Sequence, residues 1–479
     1  MQFTRMTGLF LAPLLALAVL LLPPQWGLTP PAWKVLALAV LMLGWWVTEA
    51  VPIPVTSLLP MLCLPLLGVS DMKTAAASYA NPIVYLFFGG FMLALAMERW
   101  NLHRRIALHI VQLTGTNADG IILGFMLATA FLSMWISNTA TTLMMLPIAL
   151  SVSGLLVRRK SVSDEDRGTR NFSLCLMLGI AYAANIGGVG TLIGTPPNVV
   201  FKGILKKNFD VEVTFLDWML VALPFAAALL FITYIFMVKF LYPNRLGNFH
   251  GAKQVIDEAL QQLGTMGKGE RRVLIIFVAT ALLWMFGALI NQMNPWFQLT
   301  DEITALLAVL ALFTVPVHFK KGVFVLTWQD TEKLPWGILL LFGGGLSLAE
   351  ALAKTGVVDL IGQQFAGVQD AEWMVILGLA AVSLFLTEVM SNVALVSIFL
   401  PVVGGIAVGA GIEVTHLALP VTVAASCAFM LPMSTPPNAI VFSSGHFTMA
   451  QMVKVGAVLN IVTILLVGLM AKTLLPMVF

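Results

Sequence analysis

Apolar stretches of spanning length, about 17–25 residues, recur along the chain between short polar segments. They fall near 8–23, 33–50, 53–69, 81–99, 172–194, 216–241, 271–291, 302–317, 335–353, 413–432 and 449–476. Two further stretches, 119–157 and 372–409, are each too long for one crossing, and each is interrupted midway by Ser-Asn: Ser137-Asn138 and Ser391-Asn392. In hydrocarbon such a polar break survives only where protein or water surrounds it. The pattern predicts two re-entrant hairpins, each a short helix in, a polar tip at mid-membrane and a short helix out. Breaks are also predicted at Thr195-Pro196-Pro197-Asn198 and Thr435-Pro436-Pro437-Asn438. Proline cannot extend a helix but is well placed to open one, so each tetrapeptide is expected to end one half-helix and start another. The expected fold is all-α and polytopic: eleven transmembrane helices plus two hairpins.

The interruptions come in register. Ser137 and Ser391, Phe88 and Phe342, and Pro147 and Pro401 are each separated by 254 positions. The two proline tetrapeptides are 240 apart, and the difference matches the polar loop Arg158 to Asn171, which the second half lacks. Each unit holds five crossings and one hairpin. Five is odd, so the second unit enters from the opposite side, and the repeats are inverted. The expected organisation is an N-terminal helix outside the repeat (1–32), a first repeat (33–245) whose hairpin enters from the cytoplasm, a cytoplasmic linker (246–270), and a second repeat (271–479) whose hairpin enters from outside. A matched pair of interrupted hydrophobic segments is the best sequence pointer to a transporter's binding site.

Composition agrees with a membrane protein: 59% of the 479 residues are hydrophobic and only 10% are charged. The apolar run Leu9–Leu22 is followed by Pro23-Pro24-Gln25-Trp26 and not by a small-residue cleavage site, so it reads as a first spanning helix. With the N-terminus inside, 19 of the 26 lysines and arginines fall in or beside cytoplasmic loops, in accord with the positive-inside bias. The C-terminus is then outside. Cys63, Cys175 and Cys427 lie far apart and read as buried small hydrophobes. No histidine cluster, Ser/His/Asp set or His-Glu-x-x-His is present, and nothing points to an enzyme, an organic cofactor or a nucleic-acid partner.

Hydroxyls, amides, backbone carbonyls and helix ends are what converge at the tips. Half-helices that begin there present unpaired N–H groups and a positive dipole end, which suit an anion. Half-helices that end there present carbonyls, which suit a hard cation such as sodium. Neither hairpin core contains Arg or Lys, so bound cations would offset much of a dianion's charge. Glu388, beside Thr387, has Met134 at the matching position of the first half; it is either a structural partner or a group that tunes a cation site. Glu49, Asp217 and Glu350 read as interfacial. Gly89-Gly90 and Gly343-Gly344 read as close-packing positions and not as phosphate loops.

These motifs resemble the divalent anion:sodium symporter family, the dicarboxylate and sulfate transporters, over nearly the whole chain. The resemblance rests on Thr48-Glu49-Ala50-Val51-Pro52-Ile53-Pro54-Val55-Thr56, Ser137-Asn138-Thr139-Ala140-Thr141-Thr142, Gly194-Thr195-Pro196-Pro197-Asn198, Ser391-Asn392, Thr435-Pro436-Pro437-Asn438 and Lys454-Val455-Gly456. It implies a homodimer in the cell's inner membrane, with a scaffold and a mobile transport domain that moves as an elevator. It implies one sodium site from Ser133, Ser137, Asn138 and Gly194 and a second from Thr387, Ser391, Asn392 and Ser434. The substrate site would use Ser137, Asn138, Thr139, Thr195 and Pro196 from one half. From the other it would use Ser391, Asn392, Thr435 and Pro436, with Val393 where the family often has threonine. That valine favours a C4-dicarboxylate such as succinate, malate or fumarate over sulfate. The competing expectations are a sodium-independent exchanger of the same fold, a sulfate or tricarboxylate symporter, and a sodium/proton antiporter, for which Glu388 alone would serve as a core carboxylate.

Overall fold

The computed structural model describes residues 2–159, 167–247, 250–293, 296, 298–365 and 372–479. It is all-α and polytopic. Among the described residues the strand pairing is one short antiparallel contact, Pro316–His318 with Val323–Phe324, and nine helices are long and apolar enough to cross a membrane. Phe231, Phe286 and Leu465 are exposed on such helices, as a lipid-facing exterior requires. Between helices, small residues set the spacing. A Cβ on Gly89 would lie 2.6 Å from Ala305 Cβ, and one on Gly344 would lie 2.2 Å from the Ser57 carbonyl oxygen. Each glycine pair therefore seats its helix on the other half of the chain.

Helix starts follow local chemistry. Thr29, Asn81, Thr195 and Thr435 stand immediately before the prolines that open Pro30–Thr48, Pro82–Arg99, Pro196–Phe209 and Pro436–Phe442. Proline at the first helical position has its φ already set and no N–H to satisfy. Asp217 closes a capping box with Thr214 and so starts Phe215–Ile235.

Two expectations need correction. The stretch 53–69 is not one continuous helix but two short ones, Ile53–Thr56 and Leu59–Leu66; Pro54, Pro60 and Pro65 interrupt its backbone bonding. The tetrapeptides start half-helices but do not end the preceding ones. Arg167–Val189 stops six residues before Thr195, where its last carbonyl accepts from Trp218 Nε1 at 2.8 Å, and Val414–Ala425 stops ten before Thr435. Two amphipathic helices, Leu102–Leu113 and His250–Leu263, flank the spans. They meet through Gln112 Nε2, which donates to Asp257 Oδ1 at 3.0 Å.

Candidate functional site

Both hairpins form. The first has arms Ala118–Ser133 and Asn138–Arg159 about a tip at 134–137, and the second has arms Glu372–Thr387 and Asn392–Ala410 about a tip at 388–391. Short polar side chains compete for backbone groups and favour helix starts over interiors, so each return arm begins at its asparagine. Ser137 Oγ accepts from Ala140 N at 3.2 Å, and Ser391 takes an extended conformation as N-cap.

The same oxygen cluster stands at both tips. Ser133 Oγ lies 2.6 Å from Asn138 Oδ1 and 2.8 Å from the Ala184 carbonyl oxygen. Thr387 Oγ1 lies 2.7 Å from Asn392 Oδ1 and 2.6 Å from the Ala425 carbonyl oxygen. Ser133 and Thr387 are fully buried. Each hydroxyl has one proton for two carbonyl-type acceptors, so lone pairs remain uncommitted in both places. A neutral set of hydroxyl, amide and backbone oxygens is hard-cation chemistry.

Behind each tip lies an unwound stretch, 190–195 and 426–435, held by the tetrapeptide's asparagine. Asn198 Nδ2 donates to the carbonyls of Gly188 at 3.0 Å and Thr191 at 2.7 Å. Asn438 Nδ2 donates to those of Ala428 at 3.1 Å and Leu431 at 3.2 Å, and to Ser434 Oγ at 3.0 Å. The residues in the two carbonyl pairs share the 240-residue offset of the asparagines. The ties from tip to stretch differ between halves. In the first, Thr191 Oγ1 donates to the Met134 carbonyl at 2.5 Å. In the second, Glu388 Oε1 accepts from Phe429 N and Met430 N, both at 2.9 Å, and from Asn460 Nδ2 at 3.0 Å, while Oε2 accepts from Leu431 N at 3.2 Å. Four donors leave Glu388 a well-satisfied structural tie.

The other expected residues surround these clusters. Gly194 and Thr195 are buried, and Thr139, Pro196, Ser391, Val393 and Ser434 are half-buried. Ser137 and Pro436 are exposed, and Val393 packs against the apolar core. Thr435 is buried, and its Oγ1 accepts from Asn185 Nδ2 at 3.1 Å. One expectation changes. Pro196, Pro197, Pro436 and Pro437 carry no N–H, so those half-helices offer an anion a dipole end, and free donors are left to the arms that start at Asn138 and Asn392. Sequence reasoning missed the Ala184 and Ala425 carbonyls, and it missed Asn185.

Comparison with known proteins shows the family. The family model described as the sodium:sulfate symporter transmembrane region matches residues 3–479. The chain belongs to this family. It is 38% identical over 475 residues to the sodium-dependent dicarboxylate transporter SdcS of Staphylococcus saprophyticus, covering 98% of this chain and 92% of that one. It is 38% identical over 477 residues to SdcS of Staphylococcus aureus strain USA300, covering 99% and 92%. The structure of the Alcanivorax borkumensis YdaH transporter superposes with a TM-score of 0.58 at 10% identity, over 93% of this chain and 98% of that one, which speaks to the fold alone. As a member of a family of membrane transporters, the protein is an integral membrane protein. Lys202, on Pro196–Phe209, is buried and engaged by Asp301 and by Glu302 at 3.3 Å, so its charge is already matched.

Proposed function

We propose that this protein carries C4-dicarboxylates such as succinate, malate and fumarate into the cell together with sodium. The observation that carries the sodium part is the duplicated neutral oxygen cluster, Ser133–Asn138–Ala184 and Thr387–Asn392–Ala425. A neutral cluster gives a cation ligands without cancelling its charge, and that charge then attracts the anion bound between the tips. The names of the SdcS relatives support the substrate class. Val393 gives the second tip an apolar face that suits a carbon backbone better than sulfate.

In this reading the first sodium is held by Ser133, Ser137, Asn138 and Gly194 and the second by Thr387, Ser391, Asn392 and Ser434. The dicarboxylate lies among Ser137, Asn138, Thr139, Thr195, Pro196, Ser391, Asn392, Val393, Thr435 and Pro436. The two halves are inverted repeats. The hairpins and the broken helices move as one body against the remaining helices, an elevator, in a homodimer of the inner membrane with the N-terminus inside and the C-terminus outside.

Radiolabelled succinate uptake into proteoliposomes tests the proposal, with an inward sodium gradient set against equal potassium and with citrate and sulfate as competitors. Sodium-dependent uptake into empty vesicles, better competed by dicarboxylates than by sulfate, is the expected result. Uptake confined to vesicles preloaded with unlabelled dicarboxylate, and indifferent to sodium, would make the protein an exchanger and leave both clusters without a cation.

A further inference from the structure

One amide joins the two halves at the site. Asn185 is buried, and its Nδ2 reaches three acceptors on the second unwound stretch and the half-helix after it: the Ala428 carbonyl at 3.2 Å, Thr435 Oγ1 at 3.1 Å and Asn438 Oδ1 at 3.2 Å. The preceding residue supplies the Ala184 carbonyl to the first cluster. That carbonyl and the nitrogen of Asn185 share one planar peptide unit, so turning the carbonyl toward an ion also turns the base of the Asn185 side chain. On the far side, Asn438 holds Ser434 Oγ and the Ala428 carbonyl. The link has no twin, since the residue 240 positions after Asn185 is Ala425.

We infer that Asn185 is a positioning residue that couples the two cation clusters, so that an ion at the first tip preorganises the second tip and Thr435. The inference rests on the sodium-coupled reading above. Binding at one cluster fixes the Ala184 peptide, Asn185 fixes the stretch 428–438, and the second ion meets a site already ordered. The resulting uptake is sigmoidal in sodium.

The test is the sodium dependence of succinate uptake by the full chain and its Asn185→Ala and Asn185→Ser variants in proteoliposomes. Serine keeps a polar group that can bond within its own helix, and so gives a second route to a folded protein without the bridge. The variants are expected to keep sodium-dependent uptake, with the Hill coefficient falling toward 1. The half-saturating sodium concentration should rise about fivefold, the lower end of usual site-to-site coupling. An unchanged sigmoid in either folded variant, or a lower maximal rate with the sodium curve unchanged, overturns the inference while leaving symport intact. Sodium-independent uptake by the unaltered chain would instead sink the symport reading, and this inference with it.

Discussion

Asn138 and Asn392 each offer an amide oxygen to a hydroxyl that already has a backbone carbonyl within reach. Removing the amide therefore strands no buried donor, and the usual cost of about 1–3 kcal/mol for an orphaned polar group does not arise. Asn138→Ala and Asn392→Ala should each melt close to the unaltered protein yet lose sodium-stimulated uptake by about tenfold or more, the effect of about 1.4 kcal/mol of lost ion binding. Normal sodium-stimulated transport in either variant would remove that cluster from the mechanism. At this scale the sequence made side chains legible and left backbone atoms hidden. Ser137-Asn138 and Ser391-Asn392 stand out because polar groups are costly in an apolar run. The carbonyls of Ala184 and Ala425 have no signature, because every residue carries one and only the fold decides which faces the tip. Asn185 is different. A lone amide between Ala184 and Ile186 is the same kind of signal as the tips, and lacks only their repetition in the second half.

The arm Ala118–Ser133 and the helix Arg167–Val189 approach so closely that a Cβ on Gly187 would sit 2.2 Å from the Ala130 carbonyl oxygen and 2.5 Å from Ala130 Cα. Ser133 and Ala184, which meet in the first cluster, each lie one turn from that crossing. Gly187→Ala must push backbone from backbone, so it should cost about 1–3 kcal/mol of stability, the usual range for overpacking, and raise the half-saturating sodium concentration. Gly154, on the return arm, has nothing within 4 Å of an added Cβ. Gly154→Ala should be neutral or stabilising by up to about 1 kcal/mol through helix propensity. Melting curves and sodium titrations of the pair would separate them, and equal effects would refute the close-approach argument. The elements themselves were legible wherever a breaker marks them: the hairpins at Ser-Asn, the half-helix starts at Pro-Pro. The end of Val414–Ala425 was not, because Ala425-Ser426-Cys427-Ala428 contains no Pro or Gly. That stretch unwinds because Glu388 and Asn438 take its backbone groups from elsewhere in the fold.

Across the whole molecule, the recurring offsets already indicated two related halves, but not what ties the site-bearing helices to their surroundings. Ionic contacts supply several of those ties, and one group of them sits on a single half-helix. Pro196–Phe209 carries Lys202, engaged by Asp301 and Glu302 at the start of Asp301–Thr314. It also carries Lys207, 2.6 Å from Glu350 on Trp336–Lys354, and Glu350 is 2.7 Å from Lys354 as well. Ser78 Oγ accepts from Lys207 at 2.6 Å, and Asn208 Nδ2 donates to the Ala349 carbonyl at 3.1 Å. If the hairpins travel as an elevator, this seam must part on every cycle, and the charges on it set the population held at this end of the travel. Glu350 is the centre of its cluster, because it pairs with both lysines. Glu350→Gln removes the negative charge shared by Lys207 and Lys354 and leaves Lys207 the Ser78 hydroxyl, and a loss of about 1.4 kcal/mol at the seam shifts a two-state population about tenfold. A maleimide on Asn208→Cys, with Cys63→Ser removing the half-buried native thiol, reads this directly. Labelling should be slow with Glu350 present and about tenfold faster with Glu350→Gln, and added sodium plus succinate should change the rate in both. Labelling unaffected by Glu350→Gln would mean that the seam does not part there, and the moving boundary would then have to run elsewhere than along Pro196–Phe209.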